Sequence, residues 1–253
     1  MINQVIFLGK YPQNRAVNSK KIRNSNKEPQ MFDLYIGNKN YSSWSLRPWL
    51  LMKHFGIPFN EHMVSVAGRD YNAALKPLAG NARVPCLHED GFQIWESIAI
   101  AETLAERHPA MWPADARARA RARSISAEMH AGFTQLRTAM PMNLKLKLKG
   151  KPATPEVQRD IDRVSEIWIE ARTQFATADG PYLFGAFSVA DAMYAPLVWR
   201  LHIYNVALPT VAAAYRDTML AHPAMLEWYA AALKETEAHA HYDRLADDYG
   251  GWR

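Results

Sequence analysis

The sequence predicts an α/β layer followed by an all-helical domain. Three observations carry this: strand-like apolar segments confined to the region between Met31 and about Trp95, punctuation that orders them β-α-β-α-β-β-α, and helical periodicity from Ala114 to about Thr236. The chain of 253 residues is long enough for two such domains.

Residues 1–30 come first and show little periodicity, with Pro12 and Pro29 interrupting what there is. A disordered extension is expected there, and Met31 reads as the functional start. Phe32-Asp33-Leu34-Tyr35-Ile36 then alternates as a buried strand and runs into the turn Gly37-Asn38-Lys39-Asn40. A helix follows, capped by Ser42 or Ser43 and carried by Trp44, Leu46, Trp49, Leu50, Met52 and Phe55 to Gly56, where the missing Cβ suits a helix end. Glu61 to Val66 reads as the second strand and Tyr71 to Leu78 as a short helix. Val84 to His88 and Phe92 to Trp95 form a hairpin around Glu89-Asp90-Gly91, and a third helix runs from Glu96 to about Arg107.

Beyond Trp112-Pro113 the expected helices are Ala114 to Met140, Pro155 to Thr177, Val189 to Tyr204, Thr210 to Ala221 and Pro223 to Glu235. Their breaks fall at Pro141, Gly180-Pro181, Pro209 and His222-Pro223. Arg117, Arg119, Arg121 and Arg123 alternate with alanines, and a two-residue step on a helix turns about 200°, so they divide between opposite faces and make no basic stripe. The Lys145-Leu146-Lys147-Leu148-Lys149 run alternates like a strand but lies where a loop or helix end belongs.

The chain carries 49% hydrophobic and 22% charged residues, an ordinary globular balance. Its net charge of +5 equals the excess within residues 1–30, so the remainder is formally neutral, which removes the electrostatic case for a nucleic-acid partner. The lone Cys86 fits a reducing, cytoplasmic compartment and reads as a small core residue. No apolar run is long enough to span a bilayer, so no membrane partner is expected. None of the histidines falls in a compact metal motif, and no phosphate loop is present.

Two short motifs carry the chemistry. Pro85, in Arg83-Val84-Pro85-Cys86-Leu87, removes a ladder donor from an apparent strand and marks a special backbone position beside Val84. Glu96-Ser97 opens a helix, where exposed N–H groups and the Ser97 hydroxyl suit a carboxylate and Glu96 suits an ammonium. The ordered pair, set in the β-α-β-α-β-β-α pattern, resembles glutathione transferases, whose Val-Pro-x-Leu element precedes the third strand and whose Glu-Ser pair starts the third helix.

The resemblance covers about Phe32 to Glu235. It implies a thioredoxin-like glutathione-binding domain at 31–110, an all-α domain at 114–253 and a cis bond at Pro85. Glutathione is the implied co-substrate, its cysteinyl unit pairing with the Val84 backbone, its γ-glutamyl end held by Glu96 and Ser97, and its glycyl carboxylate within reach of Arg83. Asn40-Tyr41-Ser42-Ser43-Trp44 looks like the serine-type, bacterial-like arrangement, in which Ser43 or Ser42 donates to the thiolate. Tyr41 and Tyr35 are competing hydroxyls. Ser188-Val189-Ala190-Asp191 is a capping-box pattern that the family also carries. Conjugation to a small hydrophobic electrophile is the implied reaction, and a homodimer the implied assembly. A glutathione-dependent cis-trans isomerase similar to maleylacetoacetate isomerase, and a non-catalytic glutathione-binding interaction protein, are the alternatives.

Overall fold

The computed structural model describes residues 31–65, 71–152, 154–176 and 180–251. The expected extension at 1–30 lies outside them. In β1 (Phe32–Ile36) the alternation Phe32, Leu34, Ile36 turns apolar side chains into the core. The helix α1 (Ser43–His54) returns the chain to β2 (Phe59–Met63), which pairs parallel to β1. A short α2 (Tyr71–Leu75) leads to the antiparallel hairpin of β3 (Cys86–Glu89) and β4 (Phe92–Trp95), and α3 (Ser97–Ala105) closes the unit. The strand order is β2-β1-β3-β4, with β1 antiparallel to β3. The predicted element order holds, while β2 begins two residues earlier than expected and β3 two residues later, because Pro85 cannot join the ladder.

A 3₁₀ turn at Pro109–Met111 leads into the helices α4 (Ala116–Ala131), α5 (Thr134–Ala139), α6 (Pro155–Gln174), α7 (Val189–Ile203), α8 (Thr210–Leu220) and α9 (Pro223–Ala232). The single helix expected over 114–140 is two. Gly132 leaves helical geometry and Phe133 adopts a left-handed conformation with φ 55°, which re-aims the chain so that Phe133 and Leu136 enter the core. Two further short helices, α10 (Ala240–Asp243) and α11 (Leu245–Asp248), lie beyond the expected end of periodicity.

Helix α7 is the axis of the helical half. It is buried all round and packs against α1, α4 and α8. Its start is the anticipated box: the Asp191 carboxylate accepts the Ser188 N–H at 2.9 Å, the Leu183 N–H and the Tyr215 hydroxyl. Burial pushes Asp191 up to about 6. Helix α1 sits between the sheet and α7, α3 and α9, which explains why its residues from Ser45 to Met52 are all buried. Pro48 stands within it, removing one intrahelical donor. Among the described residues no helix is long and apolar enough to cross a membrane.

The last segment ties the halves together. The Glu235 carboxylate accepts the N–H groups of Lys39 and Asn40, Trp228 donates its indole N–H to the Lys39 carbonyl, and Lys145 donates to the Glu235 carbonyl. The alternating run at 145–149 is an extended loop here, with Leu146 and Leu148 buried and Lys147 and Lys149 outside. The arginines of α4 make surface contacts, Arg121 with Glu170 and Arg123 with Glu102.

Candidate functional site

A cavity of about 670 Å³ opens where the start of α1 meets α4, α5 and α7. Ser42, Ser43 and Trp44 line one side, and His130, Arg137 and Arg200 line the other. Ser42 occupies the N-cap position of α1, yet neither serine caps it through its side chain, contrary to the capping expectation. The Ser42 hydroxyl instead donates to Ser45 Oγ at 2.8 Å, and Ser45 Oγ accepts the Gly37 N–H. Ser43 differs. Its oxygen accepts from Arg200 Nη2 at 3.2 Å, and because a guanidinium has donors only, Ser43 keeps its own proton to give to something in the cavity. The positive end of the helix dipole and the Arg200 charge both favour an anion there.

Of the tyrosine alternatives, Tyr41 also lines the cavity, but its hydroxyl is taken up by other partners. The Tyr41 hydroxyl accepts the His239 N–H at 3.1 Å and lies 3.2 Å from Asp243 Oδ1, so it fastens the C-terminal segment, and burial raises its pKa. Tyr35 stacks between His62 and His88 on the sheet.

The second group of predicted residues lies beside the cavity, not in its wall. Val84-Pro85 is a cis peptide, and the ladder begins at Cys86, so the Val84 backbone stands outside the register. Glu96 precedes α3 with φ 69°, a conformation that costs a non-glycine residue about 1–3 kcal/mol and is retained where surroundings enforce it. Its carboxylate accepts from Asn81 and lies 3.7 Å from His130 Nε2. Ser97 is 1% exposed and accepts from Arg47 Nη1 at 3.4 Å. Arg83 is exposed; its backbone N–H, not its guanidinium, contacts Asn81. Cys86 is fully buried, and desolvation pushes its thiol up to about 11, which makes it inert.

Trp44 joins the two groups. Its ring meets the His130 edge at 5.2 Å and carries the guanidinium carbons of Arg47 and Arg137 at 4.1 and 4.6 Å. Arg200, Arg137 and His130 were missed in the sequence. The signal for Arg200 was present, since it is the lone arginine in a mostly apolar helix; Arg137 and His130 gave none.

Known proteins share this fold. Residues 41–107 match the family model of the glutathione S-transferase N-terminal domain, and residues 152–231 match that of the C-terminal domain. Together the matches span more than half of the chain.

The chain belongs to the glutathione transferase superfamily.

Its sheet domain and all-helical domain are the thioredoxin-like and helical halves of that superfamily's architecture. A glutathione transferase homolog from Burkholderia gl BGR1, solved with bound glutathione, aligns at TM-score 0.60 and 24% identity over 81% of this chain and 99% of that one. The nitrogen regulation fragment of the yeast prion protein Ure2p aligns at TM-score 0.61 and 18% identity, over 83% of this chain and all of that one. Among curated proteins, a probable maleylacetoacetate isomerase of Caenorhabditis elegans is 26% identical over 196 residues, 74% of this chain and 86% of the relative. Within this glutathione transferase superfamily member, no cluster of three or more potential metal ligands is found among the described residues.

Proposed function

We propose that the chain binds glutathione and adds its thiolate to an electrophilic carbon, as a serine-type, bacterial-like glutathione transferase. The observation that carries this is Ser43 at the α1 start, accepting from Arg200 and thereby holding its proton toward the cavity. Residues 31–110 form the tripeptide-binding domain in this reading, and residues 114–253 the helical domain. The cis Val84-Pro85 unit offers its backbone to the cysteinyl part of glutathione as a short added strand. Glu96 and Ser97, at a strained helix entry backed by the Arg47 charge, take the γ-glutamyl ammonium and carboxylate. Arg83, exposed just before Val84, is the residue proposed for the glycyl carboxylate. Bound glutathione in the Burkholderia homolog supports the ligand. The reading includes a homodimer, by resemblance to the superfamily, and a cytoplasmic location, from the lone cysteine.

Thiol activation supplies little of the rate. Lowering a thiol pKa from about 8.5 to about 6.5 raises the thiolate at pH 7 roughly 25-fold, while a Brønsted coefficient near 0.45 returns about 8-fold, so the net gain is about threefold. Juxtaposing thiolate and electrophile supplies the rest. A second reading, cis-trans isomerisation by reversible addition of glutathione, is favoured by the similarity to the Caenorhabditis isomerase. Turnover of chloronitrobenzenes against maleyl-type diacids separates the two. Glutathione binding itself is tested by titration calorimetry: Ser97→Ala weakens it by about 1–3 kcal/mol, the cost of a lost hydrogen bond to a charged group. Unchanged affinity removes Ser97 from the site.

A further inference from the structure

The cavity wall carries two arginines and no acidic side chain; the nearest carboxylate named at the site, Glu96, lies behind His130 at 3.7 Å. Arg200 is 6% exposed and Arg47 2% exposed, and among the described residues neither they nor Arg137 forms an ion pair. Their hydrogen bonds go to neutral acceptors. Arg200 donates Nε to the Met140 carbonyl and Nη2 to Ser43, Arg137 donates Nη1 alone to the His130 and Gly132 carbonyls, and Arg47 Nε has no partner although buried. These bonds hold the side chains in place but cancel no charge. Burying an unpaired charge is costly, so proteins pair buried charges as a rule. Burial holds Arg47 well below the ordinary guanidinium range, and the Arg137 and Arg200 charges push it the same way.

We infer that the cavity beside Ser43 is a subsite for a carboxylate on the second substrate, held by Arg137 and Arg200. Both line the cavity, and their planar forks suit a carboxylate in two-point contact. Arg47 lies outside the wall and adds field only. The substrate class is then an electrophile bearing at least one carboxylate, where the resemblance implied a small hydrophobic electrophile. Trp44, between Arg47 and Arg137, carries both guanidinium groups against its ring and so holds the Arg137 fork at the cavity wall. The inference rests on the glutathione reading only in calling this ligand the second substrate.

The test uses succinate, an unreactive dicarboxylate, titrated calorimetrically into the full chain alone and into the chain saturated with S-methylglutathione. Succinate binds in both cases, neutral succinamide does not, and Arg137→Gln weakens succinate about tenfold or more while leaving S-methylglutathione affinity unchanged. Failure of wild-type protein to bind succinate overturns the inference, whatever the variant does. So does equal binding by a folded Arg137→Gln protein. Competition between succinate and S-methylglutathione, with both weakened in the variant, also overturns it, because the arginines then serve the tripeptide's own carboxylate. Absent S-methylglutathione binding would instead sink the glutathione reading, leaving the succinate titration of the free chain as an independent result.

Discussion

Four hydroxyls stand near the first helix, and their partners distinguish them. Ser42 is spent on Ser45, Tyr41 on the C-terminal segment, and Tyr35 lies on the sheet, whereas Ser43 alone of the four accepts from a cation at the cavity. Sequence placed Ser42 and Ser43 at the correct helix start and favoured Ser43 only slightly, as the one nearer the first helical turn. The choice depends on Arg200, 157 residues away in the chain, which no local pattern reveals. Tyr41→Phe therefore separates structure from chemistry. Chemical denaturation should show a loss of about 1–3 kcal/mol, since a buried hydroxyl contacting a carboxylate is removed, while the titration of bound glutathione stays unchanged. A collapse of turnover in a stable Tyr41→Phe protein would contradict this assignment.

Elements were legible where local signals agree with tertiary structure. Prolines at the starts of α6 and α9, the Ser188–Asp191 box and the alternation in β1 each mark an element found in place. The α4–α5 break was not legible, because Phe133 adopts a left-handed conformation that only the packing of its ring and Leu136 rewards. Helices α10 and α11 are too short to show periodicity and are held by remote partners, among them Tyr41 and Asn143 on Asp243. The α1–α9 contact has its own pH dependence. His222 caps α9 through Nδ1, which accepts the Ala224 N–H, so its proton sits on Nε2, 2.8 Å from His54 Nδ1. Burial and the facing His54 hold His222 down to about 4, below the ordinary 6.5, and burial lowers His54 as well. Both rings are neutral in the folded protein. Their contribution is complete above about pH 6.5 and is lost as pH falls toward about 4, the window in which the unfolded chain binds more protons. Urea midpoints measured at pH 7.5 and 4.5 should differ less in His222→Asn, which keeps a capping oxygen but does not titrate. An unchanged difference would assign the acid sensitivity to other groups.

At the scale of the whole molecule, residues Met31–Arg253 form one compact unit, and the site is made by both of its halves. The sheet domain supplies the helix start and the cis Val84-Pro85 unit, while the helical domain supplies Arg200, Arg137 and His130. The first contribution was readable because turn and capping chemistry is local. The second was not, because a cavity wall assembled from α4, α5 and α7 exists only after folding. In the proposed function Ser43, set by Arg200, stabilises the thiolate of bound glutathione, and ultraviolet absorbance of the protein–glutathione complex across pH is the direct test. Ser43→Ala should raise the midpoint of thiolate formation toward that of free thiol, about 8.5, with glutathione affinity little changed, while Ser42→Ala leaves the midpoint in place. A wild-type midpoint in Ser43→Ala and in the double variant would contradict it.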